Sequence, residues 1–268
     1  MKTPPLARQR RHTLFFLDEI RSHSPVFIDT EIDMSAVQGH RQEELELGRR
    51  ISFVAYVVDA ASRALAAHPE ANVGLRGRLL PRVARYDVVN TKVTLDKTIS
   101  GQRAVLGTVI PNADTVGLVK IQQQIDHYKQ GDPDLMPEFA AVRLLHKLPW
   151  PVGRFAYSRR IRSLRHRHVL LGTLAITSLG HRPVDSFQSV GGTTVTLGVG
   201  RILERPVARN GQVVIAPVMR LSLAFDHRAI DGAEAADLLS DIKAGLENFA
   251  AAPTGPVDAR GIAVTADT

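Results

Sequence analysis

The chain has 268 residues, 44% of them hydrophobic and 5% aromatic, with no cysteine and a net charge of +7. That length supports one large domain, or one domain with arms, and the missing thiols exclude disulfides, a cysteine nucleophile, a protein thioester and thiolate metal sites. No apolar run reaches the ~20 residues of a bilayer span and no signal peptide is read, so the expectation is a cytoplasmic protein with an anionic partner and no membrane partner.

Residues 1–9 are polar and proline-bearing and read as a flexible N-terminal arm. A helix is expected over 10–21, with Leu14, Leu17 and Ile20 on one face, and a strand over 26–34 after Pro25. Residues 40–50 read as a charged connection or a short helix. The clearest early helix is 52–68, N-capped by Ser52, with Val54, Val57, Val58, Ala61 and Leu65 inside and Pro69 beyond its end. Short β-rich runs fill 72–112, notably 92–95 and 104–110, and are expected to pair locally. Helical spacing returns over 115–130, with Val116, Val119 and Ile125 inside, and over 135–148, closed by Pro149 and Pro151.

Six arginines then crowd 154–168: Arg154, Arg159, Arg160, Arg162, Arg165 and Arg167. A plain solvated face explains them as well as an anionic ligand does, and nucleic acid ranks last among ligands because binding motifs and aromatics are lacking. His166 and His168 flank Arg167 without further ligands nearby, and no metal site is expected. Residues 169–177 read as a strand, with Thr173, Ala175 and Thr177 on one face and Leu174 and Ile176 on the other. The GVG at 198–200 lacks the third glycine of a dinucleotide fingerprint. Arg209, Asn210 and Gly211 mark a hairpin turn into a strand over 213–226. From 251 the chain reads as a flexible C-terminal tail, which leaves 10–250 as the folded domain.

The most informative stretch is LSLAFDHRAIDG at 221–232. Leu221, Leu223 and Phe225 alternate with Ser222, Ala224 and Asp226, while Ala235, Leu238, Leu239, Ile242, Leu246 and Phe249 recur at helical spacing. A strand therefore hands over to a helix where His227 and Asp231 stand four apart. Burial on both sides can hold an imidazole in one orientation, which general-base chemistry needs. Asp231 with Glu234 also has the spacing of a capping box, and no further cluster completes a metal ligand set.

Three segments, DHRAIDG at 226–232, GTLAITSLG at 172–180 and LGVGRI at 197–202, resemble in sequence and order those of the acyltransferase (E2) catalytic domain of 2-oxoacid dehydrogenase complexes. That family shares its fold with chloramphenicol acetyltransferase. The resemblance spans about residues 10–249, the middle by pattern alone. It implies an α/β, two-layer fold, a mixed β-sheet packed against helices, and direct transfer of an acyl group, acetyl first, from coenzyme A as cosubstrate to a hydroxyl or thiol, without a metal.

In that resemblance His227 is the general base and Thr177 the hydroxyl that meets the oxyanion, with Ser178 as the fallback and no residues assigned to coenzyme A. Asp231 orients the histidine and Asp226 helps fix the loop. An arginine near the first helix pairs with the signature aspartate in the family; Arg10 or Arg11 match it, and a solvated basic face explains them equally well. The family builds a homotrimer in which the histidine of one subunit faces its neighbour's hydroxyl. No lipoyl attachment and no lipoyl or subunit-binding module is read. The expectation is thus a stand-alone acyltransferase with a small-molecule or carrier-bound acceptor, an acidic carrier protein seating at 154–167. The alternatives are an E2 core that acylates dihydrolipoamide and a non-catalytic trimeric scaffold.

Overall fold

The computed structural model describes residues 6–77 and 79–249; the tail expected from 251 lies outside the described residues, and the arm over 1–9 is described only from Leu6. Arg8–Arg10 is a 3-10 turn that runs into helix α1 (Arg11–Ile20), and the Gln9 amide donates to the Ser100 carbonyl at 3.3 Å. α1 buries Phe15 in place of the expected Leu14, Leu17 and Ile20 row. The reason is a later helix, α6 (Trp150–Ile161), which lays Gly153 over the Phe15 ring and meets it edge-on with Trp150 at 4.9 Å.

A six-stranded sheet carries the rest, in the order β1 (Pro25–Asp33), β8 (Gln212–Asp226), β7 (Val195–Arg209), β6 (Leu174–Ser178), β4 (Thr91–Ile99) and β5 (Gln102–Ile110). β6 runs parallel to β7 and to β4; the other pairs are antiparallel. The β7–β8 hairpin turns through Asn210 and Gly211, at φ 50° and 77°, the left-handed pair that a two-residue turn demands. β2 (Val73–Arg76) and β3 (Arg82–Arg85) form a separate hairpin.

The two faces of the sheet differ. Leu174, Ile176, Val195, Leu197, Leu221, Leu223 and Phe225 join a core with α3 (Phe53–Ala67) and α8 (Gly232–Glu247). Ser52 caps α3 by accepting from the Ala55 amide at 3.4 Å, as its sequence foretells. Helix α2 (Ser35–Glu46) replaces the connection or short helix at 40–50. α4 (Leu118–Gln130) buries Ile121, Gln122 and Ile125 and leaves Val119 41% exposed. There a polar residue occupies the inward row, because the Gln122 carbonyl accepts from the Ser52 amide and hydroxyl at 2.8 and 2.7 Å.

The second face carries Thr173, Ala175, Thr196, Ser222 and Ala224, and the segment 179–194 crosses it. Gly198 and Gly200 lie so close under the Phe187 and Asp185 carbonyls that any Cβ would collide with backbone. Close approach accounts for the GVG motif. Residues 140–171 form a helical excursion of α5 (Ala140–Lys147), α6 and α7 (Leu164–Leu171). The strand expected from 169 therefore begins at Leu174: residues 169–171 close α7, and Gly172 at φ 76° turns the chain into β6.

Candidate active site

β8 ends at Asp226, and the turn after it is fixed from three sides. The Asp226 amide donates to the Thr194 carbonyl at 2.9 Å, the His227 amide to the Ser24 carbonyl at 2.9 Å, and the Ala229 amide to the Asp226 carbonyl at 2.8 Å. The buried Asp226 carboxylate accepts from the Ser24 amide at 3.2 Å and from Arg228 Nε and Nη2 at 2.9 and 2.5 Å. Burial acts to raise its pKa, but Arg228, the Ser24 amide and the charge of His23 outweigh it and hold the carboxyl below its usual range. Asp226, cast as a helper from the sequence, is the residue that ties β1 to the histidine turn.

On this fixed turn the His227 side chain is 46% exposed, and its Nδ1 stands 3.4 Å from Asp231 Oδ1. Asp231 occupies the N-cap position of α8, but its side chain makes no capping hydrogen bond, so the capping box with Glu234 is not formed. The carboxylate turns to the imidazole instead. Neither Arg10 nor Arg11 reaches it: Arg10 is exposed, and Arg11 donates to the carbonyls of His146 and Leu148 at 3.2 and 2.5 Å.

Thr177 is half-buried on β6, and its hydroxyl makes no hydrogen bond among the described residues. Ser178 Oγ accepts from the Gly180 amide at 3.4 Å. Thr177 pairs with Gly198, and Gly198 with Ser222 of β8. His227 lies five residues beyond Ser222, so at ~3.4 Å per residue and ~4.8 Å per strand spacing the backbone positions of Thr177 and His227 come to ~20 Å apart within one chain.

Sequence reasoning missed the polar groups behind the turn. The His23 side chain, 6% exposed, points Nε2 at Asp226 Oδ2 at 3.9 Å. Burial, and then the charges of Arg167 and Arg228 opposing that of Asp226, keep its pKa below the ordinary histidine value. Arg167, expected among the solvated arginines, is half-buried and donates to the Gly192 carbonyl at 2.8 Å. Both side chains line a small polar cavity with Asp226, Tyr86, Thr193 and Thr194. Lys92 is buried nearby, donating to the Gly191 carbonyl and lying 5.0 Å from the Phe16 ring centre. The Asp226 and Arg228 pair, two apart, was the one local signal available.

A mixed sheet layered with helices is the fold of the chloramphenicol acetyltransferase-like proteins. A solved chloramphenicol acetyltransferase superposes on it with a TM-score of 0.50, covering 90% of this chain and 96% of that one at 17% identity.

Within this class the chain is similar to the E2 acyltransferases: residues 152–252 match the family described as 2-oxoacid dehydrogenases acyltransferase (catalytic domain). A probable dihydrolipoamide acetyltransferase from Listeria monocytogenes has the same fold, with a TM-score of 0.69 over 95% of this chain and 97% of that one at 18% identity. The dihydrolipoyllysine-residue succinyltransferase component of the 2-oxoglutarate dehydrogenase complex from Pseudomonas aeruginosa is 28% identical over 256 residues, 92% of this chain and 54% of that protein. The chain spans about half the length of the curated relatives it matches, 45% to 56% among them.

Proposed function

We propose that the chain catalyses acyl transfer of the E2 type, between coenzyme A and a dihydrolipoyl thiol borne by another protein. The names of the relatives favour this acceptor over the free small-molecule hydroxyl that the sequence alone put first. The observation that carries the reading is the His227 turn: a half-exposed imidazole on a backbone fixed from three sides, with a carboxylate at Nδ1.

The Asp231 carboxylate, 3.4 Å from Nδ1, favours the proton on that nitrogen and leaves Nε2 as the base. His227 Nε2 takes the proton of the acceptor thiol as sulfur attacks the thioester carbonyl of acyl-CoA. The carbonyl oxygen gathers charge, and the Thr177 hydroxyl donates to it. The bond to the sulfur of coenzyme A then breaks, and His227 returns its proton to that sulfur. A base of this kind contributes ~100-fold to 10,000-fold in rate, and one oxyanion donor about 3 kcal/mol. Asp226 holds the turn through Ser24 and Arg228 and does not touch the reacting atoms.

With His227 and Thr177 ~20 Å apart along the sheet of one chain, a neighbouring copy would complete the site. A homotrimer with sites between its subunits supplies it. A cytoplasmic setting goes with coenzyme A as cosubstrate, and acetyl and succinyl are the acyl groups to try first.

Release of free coenzyme A from acyl-CoA in a single turnover, with dihydrolipoamide and a panel of alcohols, tests the reading. Dihydrolipoamide-dependent release should fall at least ~100-fold in His227→Ala. Release confined to an alcohol would restore the small-molecule acceptor, and release untouched by the substitution would remove His227 from the mechanism.

A further inference from the structure

The positive charge of the chain sits in one place. Residues 140–184 hold nine lysines and arginines and no acidic residue, so this run carries +9; the remainder has 25 basic and 27 acidic residues and carries −2. Seven of the nine lie in α5, α6 and α7, and an eighth, Arg162, caps the end of α6. Four of these eight are engaged within the fold. Arg143 donates to the Pro133 and Met136 carbonyls at 2.5 and 2.7 Å, Arg167 to the Gly192 carbonyl at 2.8 Å, and Arg154 and Arg162 pair with Asp18 and Glu19 of α1 at 3.3 and 2.9 Å. Lys147, Arg159, Arg160 and Arg165 have no acidic partner among the described residues.

Beside these free cations stands exposed apolar surface. α6 sets Gly153 and Ile161 inward, while Val152 and Phe155 are 51% and 68% exposed, with Trp150 40% exposed at its start and Leu144 57% exposed on α5. The β2–β3 hairpin, packed against α7, ends in Leu79 and Leu80, 95% and 82% exposed, between Arg76 and Arg82. One exposed leucine needs no explanation, but clustered aromatic and aliphatic side chains rimmed by arginine do.

We propose that this face of α5–α7, with the β2–β3 tip beside it, docks on an anionic phospholipid surface. Phe155, Val152 and Trp150 enter the boundary between headgroups and acyl chains, and the arginines extend past them to the phosphates. Tryptophan has an apolar body and a polar N–H, which suit that depth. A soluble polyanion, whether nucleic acid or the acidic carrier expected at 154–167, would satisfy the guanidinium groups and leave the apolar ridge in water. A second copy would cover the ridge but bring two sets of unpaired arginines together. A lipid surface satisfies both features, and it revises the expectation of no membrane partner. No described helix is long and apolar enough to cross a membrane, so the contact is peripheral. This proposal is independent of the acyl-transfer reading.

Trp150 is the only tryptophan in the chain, so its emission reports on this face directly. The whole protein is mixed with vesicles of phosphatidylcholine alone and with vesicles that also contain phosphatidylglycerol. The expected result is cosedimentation with the anionic vesicles only, a blue shift of Trp150, and about tenfold weaker partitioning for Phe155→Glu and for Arg159→Glu/Arg160→Glu. These sites are exposed, and circular dichroism checks that the variants fold. Retention without a blue shift, matched by heparin and unchanged in Phe155→Glu, would overturn the proposal in favour of a soluble polyanion. Absence of vesicle binding, with a smaller oligomer in light scattering for Phe155→Glu, would assign the face to contact between copies. A protein that stays in the supernatant with an unchanged oligomer would leave the face without a lipid role.

Discussion

Lys92 and Asp226 are buried ions on which pH acts differently. Asp226 is held below its usual range, so its contribution to stability is complete above the unfolded carboxylate value and is lost as pH falls through the lower folded one. For Lys92, burial and then the charge of Arg167 lower the pKa from 10.5 to about 8. Between those values the unfolded chain binds more protons, so stability rises with pH; below about 8 both states are protonated and that dependence vanishes. Urea unfolding should show a gain on the order of 2 kcal/mol from about pH 7 to about pH 9.5, absent in Lys92→Met. An equal gain in both proteins would mean that another group titrates. The importance of Asp226 was only half legible, since its partners Ser24 and His23 come from some 200 residues away and form no local pattern. Spacing left Asp231 open between capping α8 and facing His227, and which of the two it does depends on where its side chain turns.

Among the elements, the β8 to α8 junction was readable to within a residue because alternation gives way to helical spacing at one point, with both core faces apolar. Beyond α5, which falls inside the helix expected over 135–148, the stretch 150–171 was not readable in the same way: α6 and α7 put arginines where a helix would normally repeat apolar residues, so their helical period is faint in the sequence. The glycines of LGVGRI lay between these cases, clear as a motif and opaque as to cause until the crossing segment was in view. Gly198→Ala should cost about 1–3 kcal/mol in thermal or urea unfolding, because the added carbon meets the Phe187 backbone carbonyl. Gly232→Ala is the control, since a Cβ there meets nothing within 4 Å. Equal losses in the two would detach the motif from close approach.

At the scale of the whole molecule, a site shared between copies has a signature that no single chain can give. His227→Ala and Thr177→Ala preparations, each crippled alone, should regain activity when unfolded together and refolded as mixed oligomers. At equal amounts about a quarter of the shared sites would pair an intact histidine with an intact threonine. Activity no greater than the sum of the separate preparations would place both groups in one chain and contradict the ~20 Å separation along the sheet. The strand order also sets a schedule for synthesis. β1 pairs only with β8 in the sheet, joining Pro25 to Asp226 and Asp33 to Val218. A ribosome adding ~5–20 residues per second completes the second strand roughly 10–40 s after the first. Throughout that interval the nascent chain carries an unpaired sheet edge near its beginning, where a chaperone or a neighbouring nascent chain has the longest opportunity to meet it.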